Sequence, residues 1–156
     1  MKTILAILIA FFSTTLLAAE YKVDEVRVYK LKHRMEMLFQ GKVTRVYTVM
    51  LGSGGMGPKV QEGDRKVPEG EYILDAKNPY SSFYKSIHIS YPNQADIDRA
   101  NELGVNPGFD IFIHGMPRFG NRKGDWTAGC IAVKNWEMQE IWDNLEVPIK
   151  ITIFHQ

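Results

Sequence analysis

Hydrophobic and polar positions alternate over three successive stretches near the start of the chain. Val23 to Tyr29 reads V-D-E-V-R-V-Y, Met35 to Phe39 reads M-E-M-L-F, and Val43 to Val49 reads V-T-R-V-Y-T-V. Period-two alternation rich in β-branched and aromatic residues predicts strands, and the short polar links between them predict antiparallel hairpins. Further strands are expected at Glu71–Leu74, Tyr84–Ser90, Phe109–His114 and Ile149–Phe154. Two stretches change to helical spacing. Asn93 is placed to cap a helix over Ala95–Leu103, with Ile97, Ala100 and Leu103 on one face and Gly104 at its end. Asn135 is placed to cap a second, with Met138, Ile141, Trp142 and Leu145 as its apolar positions. The expected fold is mostly β with two helices (α+β), a mixed sheet or β-sandwich in a single domain.

The pattern breaks at Gly52-Ser53-Gly54-Gly55-Met56-Gly57-Pro58, which opens a loop running to Pro68-Glu69-Gly70. The stretch has neither the Gly-Lys-Ser/Thr ending nor the following helix of a phosphate-binding loop. A flexible surface loop beside a site, able to act as a lid, is the reading that remains.

The N-terminus has a different character. Lys2 precedes a nine-residue apolar run, Ile4 to Phe12, and Ser13-Thr14-Thr15 leads to Ala18-Ala19. A positive charge, a short apolar run and a small-residue end make a secretory signal peptide over residues 1–19, with cleavage expected after Ala19. The run is well short of the roughly 18 residues that span a bilayer. A secreted, periplasmic location follows as an expectation. Residues 20–156 then form one compact domain with a single core. Without Lys2 the chain has 18 basic residues against 18 acidic ones, and no basic run, so nucleic acid is not expected as a partner.

Export sharpens the meaning of the one cysteine, Cys130. A lone exported thiol has no internal disulfide partner. It is either an inert buried hydrophobe, a bridge between chains, or a nucleophile. Its surroundings bear on the choice. Ile113-His114-Gly115 ends an expected strand, and Asp125-Trp126-Thr127-Ala128-Gly129-Cys130-Ile131-Ala132-Val133 follows. A free thiol titrates near roughly 8.5, so an adjacent imidazole can raise its reactive fraction and later return a proton to a leaving amine. Gly129 admits close approach of backbone to a substrate, and its N–H with that of Cys130 has the pattern of an oxyanion hole. Read alone, a histidine on an apolar strand such as His114 is more often a satisfied core residue, and Gly115 fits an ordinary turn. No metal-ligand spacing surrounds His114 and Cys130, and no cofactor is expected. Only His155 follows the cysteine, against the order of a papain-like protease.

These residues resemble the YkuD-type L,D-transpeptidases, which carry a His-Gly and, some fifteen residues on, Ser/Thr-x-Gly-Cys, usually completed as Ser-His-Gly-Cys-Ile-Arg. The matching residues are His114-Gly115 and Thr127-Ala128-Gly129-Cys130-Ile131, and Val67-Pro68-Glu69-Gly70-Glu71-Tyr72 matches the family's upstream Thr-Pro-x-Gly-x-Tyr/Phe element. Asp-Trp-Thr-x-Gly-Cys-Ile-Ala-Val, with Ser86-Ile87-His88-Ile89-Ser90-Tyr91-Pro92-Asn93 upstream, looks like the YafK-like branch, whose members include enzymes that detach the outer-membrane lipoprotein from murein.

The resemblance implies that Cys130 is the nucleophile and His114 the base, with the Gly115 carbonyl holding the imidazole tautomer and Gly129 in the catalytic turn. It implies substrate-side roles for Thr127, Trp126, Ala128 and His88. The substrate would be a peptidoglycan stem peptide, cut at the L-centre of meso-diaminopimelate through a thioester passed to water or an amine. Murein-linked lipoprotein is a second expected partner. Ala128 and Ala132 stand where the family has histidine and arginine, which favours cleavage over cross-linking. Arg65, Arg118, Arg122 and Lys123 are candidates for the missing cation. The alternatives are a transpeptidase that forms cross-links or attaches lipoprotein, a pure carboxypeptidase, and a wall-binding protein without turnover.

Overall fold

The structure, a computed structural model, describes residues 20–120 and 122–156. The expected signal peptide, residues 1–19, lies outside the described residues. The alternating stretches form β1 (Glu25–Tyr29), β2 (Arg34–Phe39) and β3 (Lys42–Thr48), joined as antiparallel hairpins. β4 (Gly70–Asn78) and β5 (Ser86–Ile89) form another antiparallel pair, followed by helix α1 (Gln94–Leu103) and β6 (Ile111–His114). The two-residue strand β7 (Ile131–Ala132), helix α2 (Asn135–Asn144) and β8 (Ile149–Phe154) complete the domain.

All eight strands belong to one mixed sheet in the order β3-β2-β1-β8-β4-β5-β6-β7. β8 inserts between β1, to which it is parallel, and β4, to which it is antiparallel, so the last strand joins the two hairpin systems. The sheet curls back on itself. Beyond β3, Met50 pairs with Ala132 of β7 at the opposite edge, with N–H···O bonds of 2.9 and 2.8 Å in the two directions, and Gly52 pairs with Thr127. The concave side holds Val26, Val28, Met35, Met37, Leu74, Ile87, Ile89, Ile113, Ile131 and Ile151, all fully buried, against Met138 and Ile141 of α2.

Both helices differ in detail from the sequence expectation. Asn93 caps α1 as expected, its side chain accepting from Asp96 N–H, and Gly104 closes it in the left-handed region. The helix buries Asp96 and Ala100, however, while Leu103 is 60% exposed. Asp96 belongs inside because its carboxylate accepts from the buried Tyr72 hydroxyl at 2.9 Å. In α2 the N-cap is Lys134, whose N–H donates to Glu137. Asn135, one residue further on, instead accepts from Met116 N–H at 2.7 Å and ties the helix to the segment after β6.

Nor is the loop from Gly52 to Pro68 loose. Lys30, fully buried at the end of β1, donates through Nζ to Gly57 O, Val67 O and Glu69 Oε1, each at 2.8 Å. Asp64 accepts from the backbone of Val60, Gln61 and Lys66 and from Lys59 Nζ. Gly54 N–H donates to Arg65 O. A Cβ on Gly52 would lie 2.0 Å from Arg65 O, so glycine is required where the two arms of the loop cross.

Candidate active site

β6 and β7 run parallel with Ile113 opposite Ile131 and His114 opposite Ala132. Side chains alternate across a strand. This register therefore puts Phe112 and His114 on one face and aligns Cys130, just before β7, with Phe112 on that same face. Ile111, Ile113 and Ile131 turn into the core and fix the register, since a one-residue slip would bury the polar set. Cys130 and His114 consequently line one cavity of about 350 Å³, together with Asp110, Phe112 and the β4–β5 turn, Asn78 to Ser86.

His114 is 4% exposed. Its Nδ1 lies 2.7 Å from Gly115 O, and a carbonyl only accepts, so Nδ1 carries the proton and Nε2 keeps its lone pair. The ring is walled by Phe83, with centroids 4.6 Å apart, and by Trp126, edge-on at 5.7 Å. Gly115 must be glycine, because a Cβ would meet Asn135 Oδ1 at 2.6 Å and Phe83 O at 3.0 Å. Burial pulls the imidazole below its usual range, partly offset by the bond to Gly115. Burial pushes the Cys130 thiol up, aided by the nearby Asp110 carboxylate and opposed by Phe112 N–H and by Lys59. The thiol contacts Asp110 O at 3.7 Å. Both shifts favour the neutral imidazole and the neutral thiol at rest.

Thr127 organises the turn and does not line the cavity. Its hydroxyl donates to Cys130 O at 2.6 Å and accepts from Gly129 N–H at 3.2 Å. Gly129 N–H is therefore engaged in the resting turn, and it would join an oxyanion hole with Cys130 N–H only by giving up Thr127. Gly129 has φ +127°, and a Cβ there would lie 2.9 Å from Lys66 O, so the braced loop presses directly on the Thr127–Cys130 turn.

The other residues expected on the substrate side have different places. Trp126 supports the imidazole from outside the cavity lining, under the Arg122 guanidinium, and its buried Nε1–H has no partner among the described residues. Ala128 is exposed and lines none of it. His88 shares the face of β5 that carries Ser86, but it lies outside the cavity lining, where it bonds Asp75 at 2.7 Å and meets Phe112 edge-on. Sequence reasoning missed the β4–β5 turn and Asp110. It also missed the link from Asp125, which accepts from Leu51 N–H at 2.8 Å, to His33 at 2.9 Å. None of these carries a motif. Among the described residues no three His, Cys, Asp or Glu side chains cluster as metal ligands do.

Comparison with known proteins gives the same direction. The pattern of the L,D-transpeptidase catalytic domain (YkuD) matches residues 24–153. YafK of Escherichia coli K12 is 30% identical over 143 residues, covering 83% of this chain and 52% of YafK. The chain spans about half the length of the curated relatives it matches. Among solved structures, the helical cell shape determining protein Pgp2 of Campylobacter jejuni superposes with a TM-score of 0.67 at 28% identity, covering 84% of this chain and 47% of Pgp2. An L,D-transpeptidase of Xylanimonas cellulosilytica shares the fold at 14% identity, TM-score 0.59, covering 88% of this chain and 63% of its own. With most of its length matched by that one domain pattern, the chain belongs to the YkuD family of L,D-transpeptidase catalytic domains.

Proposed function

We propose that this chain is an exported, periplasmic enzyme that acts on peptidoglycan stem peptides through a Cys130 thioester. The observation that carries the reading is the shared cavity of Cys130 and His114, with Nδ1–H committed to Gly115 O and the Nε2 lone pair left for the thiol proton. Sγ attacks the L-centre carbonyl carbon of meso-diaminopimelate while Nε2 takes the thiol proton. The C–N bond breaks, the proton passes to the leaving amine, and a thioester remains. Water or an amine then adds, gives its proton to Nε2, and sulfur recovers a proton as it leaves. The developing oxyanion is met by Cys130 N–H, joined by Gly129 N–H if the bond to Thr127 exchanges.

Cleavage is the favoured outcome, including cleavage of a diaminopimelate-linked amine such as the lysine of murein-bound lipoprotein. Ala128 is exposed and Ala132 buried, so neither supplies a polar group to hold an acceptor in line. The test is to incubate residues 20–156 with a tetrapeptide muropeptide and with murein-linked lipoprotein and read the products by mass. Tripeptide or released lipoprotein supports the reading, and unchanged substrate in both rejects it.

A further inference from the structure

With His114 neutral, the lining of the thiol cavity holds one formal charge, the carboxylate of Asp110. No lysine or arginine lines this cavity, and the rest of its wall is aromatic rings, serine hydroxyls and Asn78 beside His114 and Cys130. Among the described residues the Asp110 carboxylate enters no ion pair and accepts no hydrogen bond. The backbone carbonyl of the same residue is what the thiol contacts, at 3.7 Å. Lys59, the other charge that bears on the thiol, is buried and committed to Asp64 at 3.0 Å. A solitary carboxylate in the wall of a reaction cavity favours a cation on whatever enters.

The register of β6 and β7 gives that charge a side of the reaction. Cys130 lies opposite Phe112, with His114 two residues further along the chain and Asp110 two residues before. Asp110 stands outside β6 at φ +60° and is exposed, which puts it at the mouth of the cavity. The imidazole returns a proton to the leaving amine, so that half of the scissile bond lies toward His114 and the acyl half toward Asp110. In the peptidoglycan reading the acyl half is diaminopimelate, whose short methylene chain ends in a D-centre bearing a primary ammonium and a carboxylate. We propose that Asp110 binds the D-centre ammonium of the diaminopimelate whose carbonyl is attacked, so that the protein selects stems whose amine is free over stems in which it is acylated in a cross-link. The methylenes pack on the half-buried Phe112 ring, and the D-centre carboxylate is left to water at the mouth. An acylated amine carries no charge, and in that place it would strip water from Asp110 without supplying a partner ion. The identity of the ligand rests on the peptidoglycan reading, whereas the preference for a cation does not.

The experiment has two arms, which separate the site from its ligand. In the first, Cys130 is modified by aminoethyl methanethiosulfonate, a cation, and by methyl methanethiosulfonate, which is neutral. The ratio of the two rates is compared with the same ratio for free cysteine, so that any change in the ionisation of the thiol cancels. The cation is expected to be favoured about fivefold, less so as salt is raised, and Asp110→Asn to bring the ratio within about twofold of that for free cysteine. Asparagine keeps the size of aspartate and tolerates its positive φ, so this variant tests the charge alone. In the second arm, the tetrapeptide stem and its D-centre N-acetyl derivative are bound at equilibrium to the Cys130→Ala protein. The free amine is expected to bind about fivefold tighter, and the pair to come within about twofold once Asp110→Asn is added. A wild type with no preference for the cationic reagent, or a preference that survives Asp110→Asn, overturns the cation site. If that preference depends on Asp110 but the tetrapeptide does not bind, the cation site stands and the stem peptide is the wrong ligand. If the tetrapeptide binds and Asp110→Asn leaves its advantage over the N-acetyl derivative unchanged, the peptidoglycan reading stands and Asp110 does not read the amine.

Discussion

Burial acts on the two proposed reactive side chains in opposite senses, lowering the His114 imidazole and raising the Cys130 thiol. A preformed thiolate–imidazolium pair needs the reverse of both shifts. Alkylation of Cys130 by iodoacetamide should therefore keep rising with pH beyond the roughly 8.5 of a free thiol. A rate that levels off below pH 7 would show a resting thiolate. At neutral pH, His114→Ala should slow that alkylation, and an equal rate in both proteins would mean the base is misplaced. The acid limb of kcat/KM reports the imidazole, because only neutral His114 accepts a proton. Since burial lowers it, more than half of the plateau activity should remain at pH 6.5, and the rest should be lost as pH falls further below that ordinary histidine value. A limb centred above 6.5 would mean that another group, or a charged neighbour, governs the base. In turnover, His114→Ala should cost about a hundredfold or more.

Between residues and fold stand the loop and the turn that it presses on. Lys30 holds that loop with three bonds from a fully buried ammonium, and the contact passes through Lys66 O to Gly129. Lys30→Ala leaves Glu69 and two carbonyls without that partner and should cost about 3 kcal/mol in urea denaturation. A loss under about 1 kcal/mol would show that water replaces it. Gly129→Ala and Gly41→Ala both put a side chain at positive φ, +127° and +73°, but a Cβ at Gly41 meets nothing within 4 Å. The former should abolish turnover, and the latter should cost only about 1 kcal/mol of stability with turnover intact. Strands were legible in the sequence wherever one face is buried, as with Val26 and Val28, because burial imposes period two. β7 was not, since two residues carry no period. Phe109 and Asp110 fell outside β6 because Asp110 adopts φ +60°. The Lys30 anchor was invisible because a lone lysine in sequence gives no sign of burial. Cys130 and His114 stood out through spacing and type, whereas the cavity wall from Asn78 to Ser86 depends on where the β4–β5 turn folds over β6.

For the molecule as a whole, the sheet's curl brings Met50 to Ala132 and Gly52 to Thr127, so the first hairpins brace the turn that carries Cys130 across the fold. That scaffold suits either fate of a thioester, and the choice between them lies in what holds the second substrate. Given both tetrapeptide muropeptides and murein-linked lipoprotein, the enzyme should yield more hydrolysed stems and released lipoprotein than cross-linked dimers. A predominance of diaminopimelate–diaminopimelate dimers would reverse that preference while keeping the cysteine mechanism. The mechanism itself is tested most directly by the intact mass of the protein during turnover of a tetrapeptide muropeptide, for the wild type and for Cys130→Ala. The account predicts loss of the terminal D-alanine from the substrate by the wild type, with a transient acyl adduct that maps to Cys130, and neither adduct nor turnover in a folded Cys130→Ala protein. Turnover by Cys130→Ala above background, or no reaction by the wild type, would contradict it.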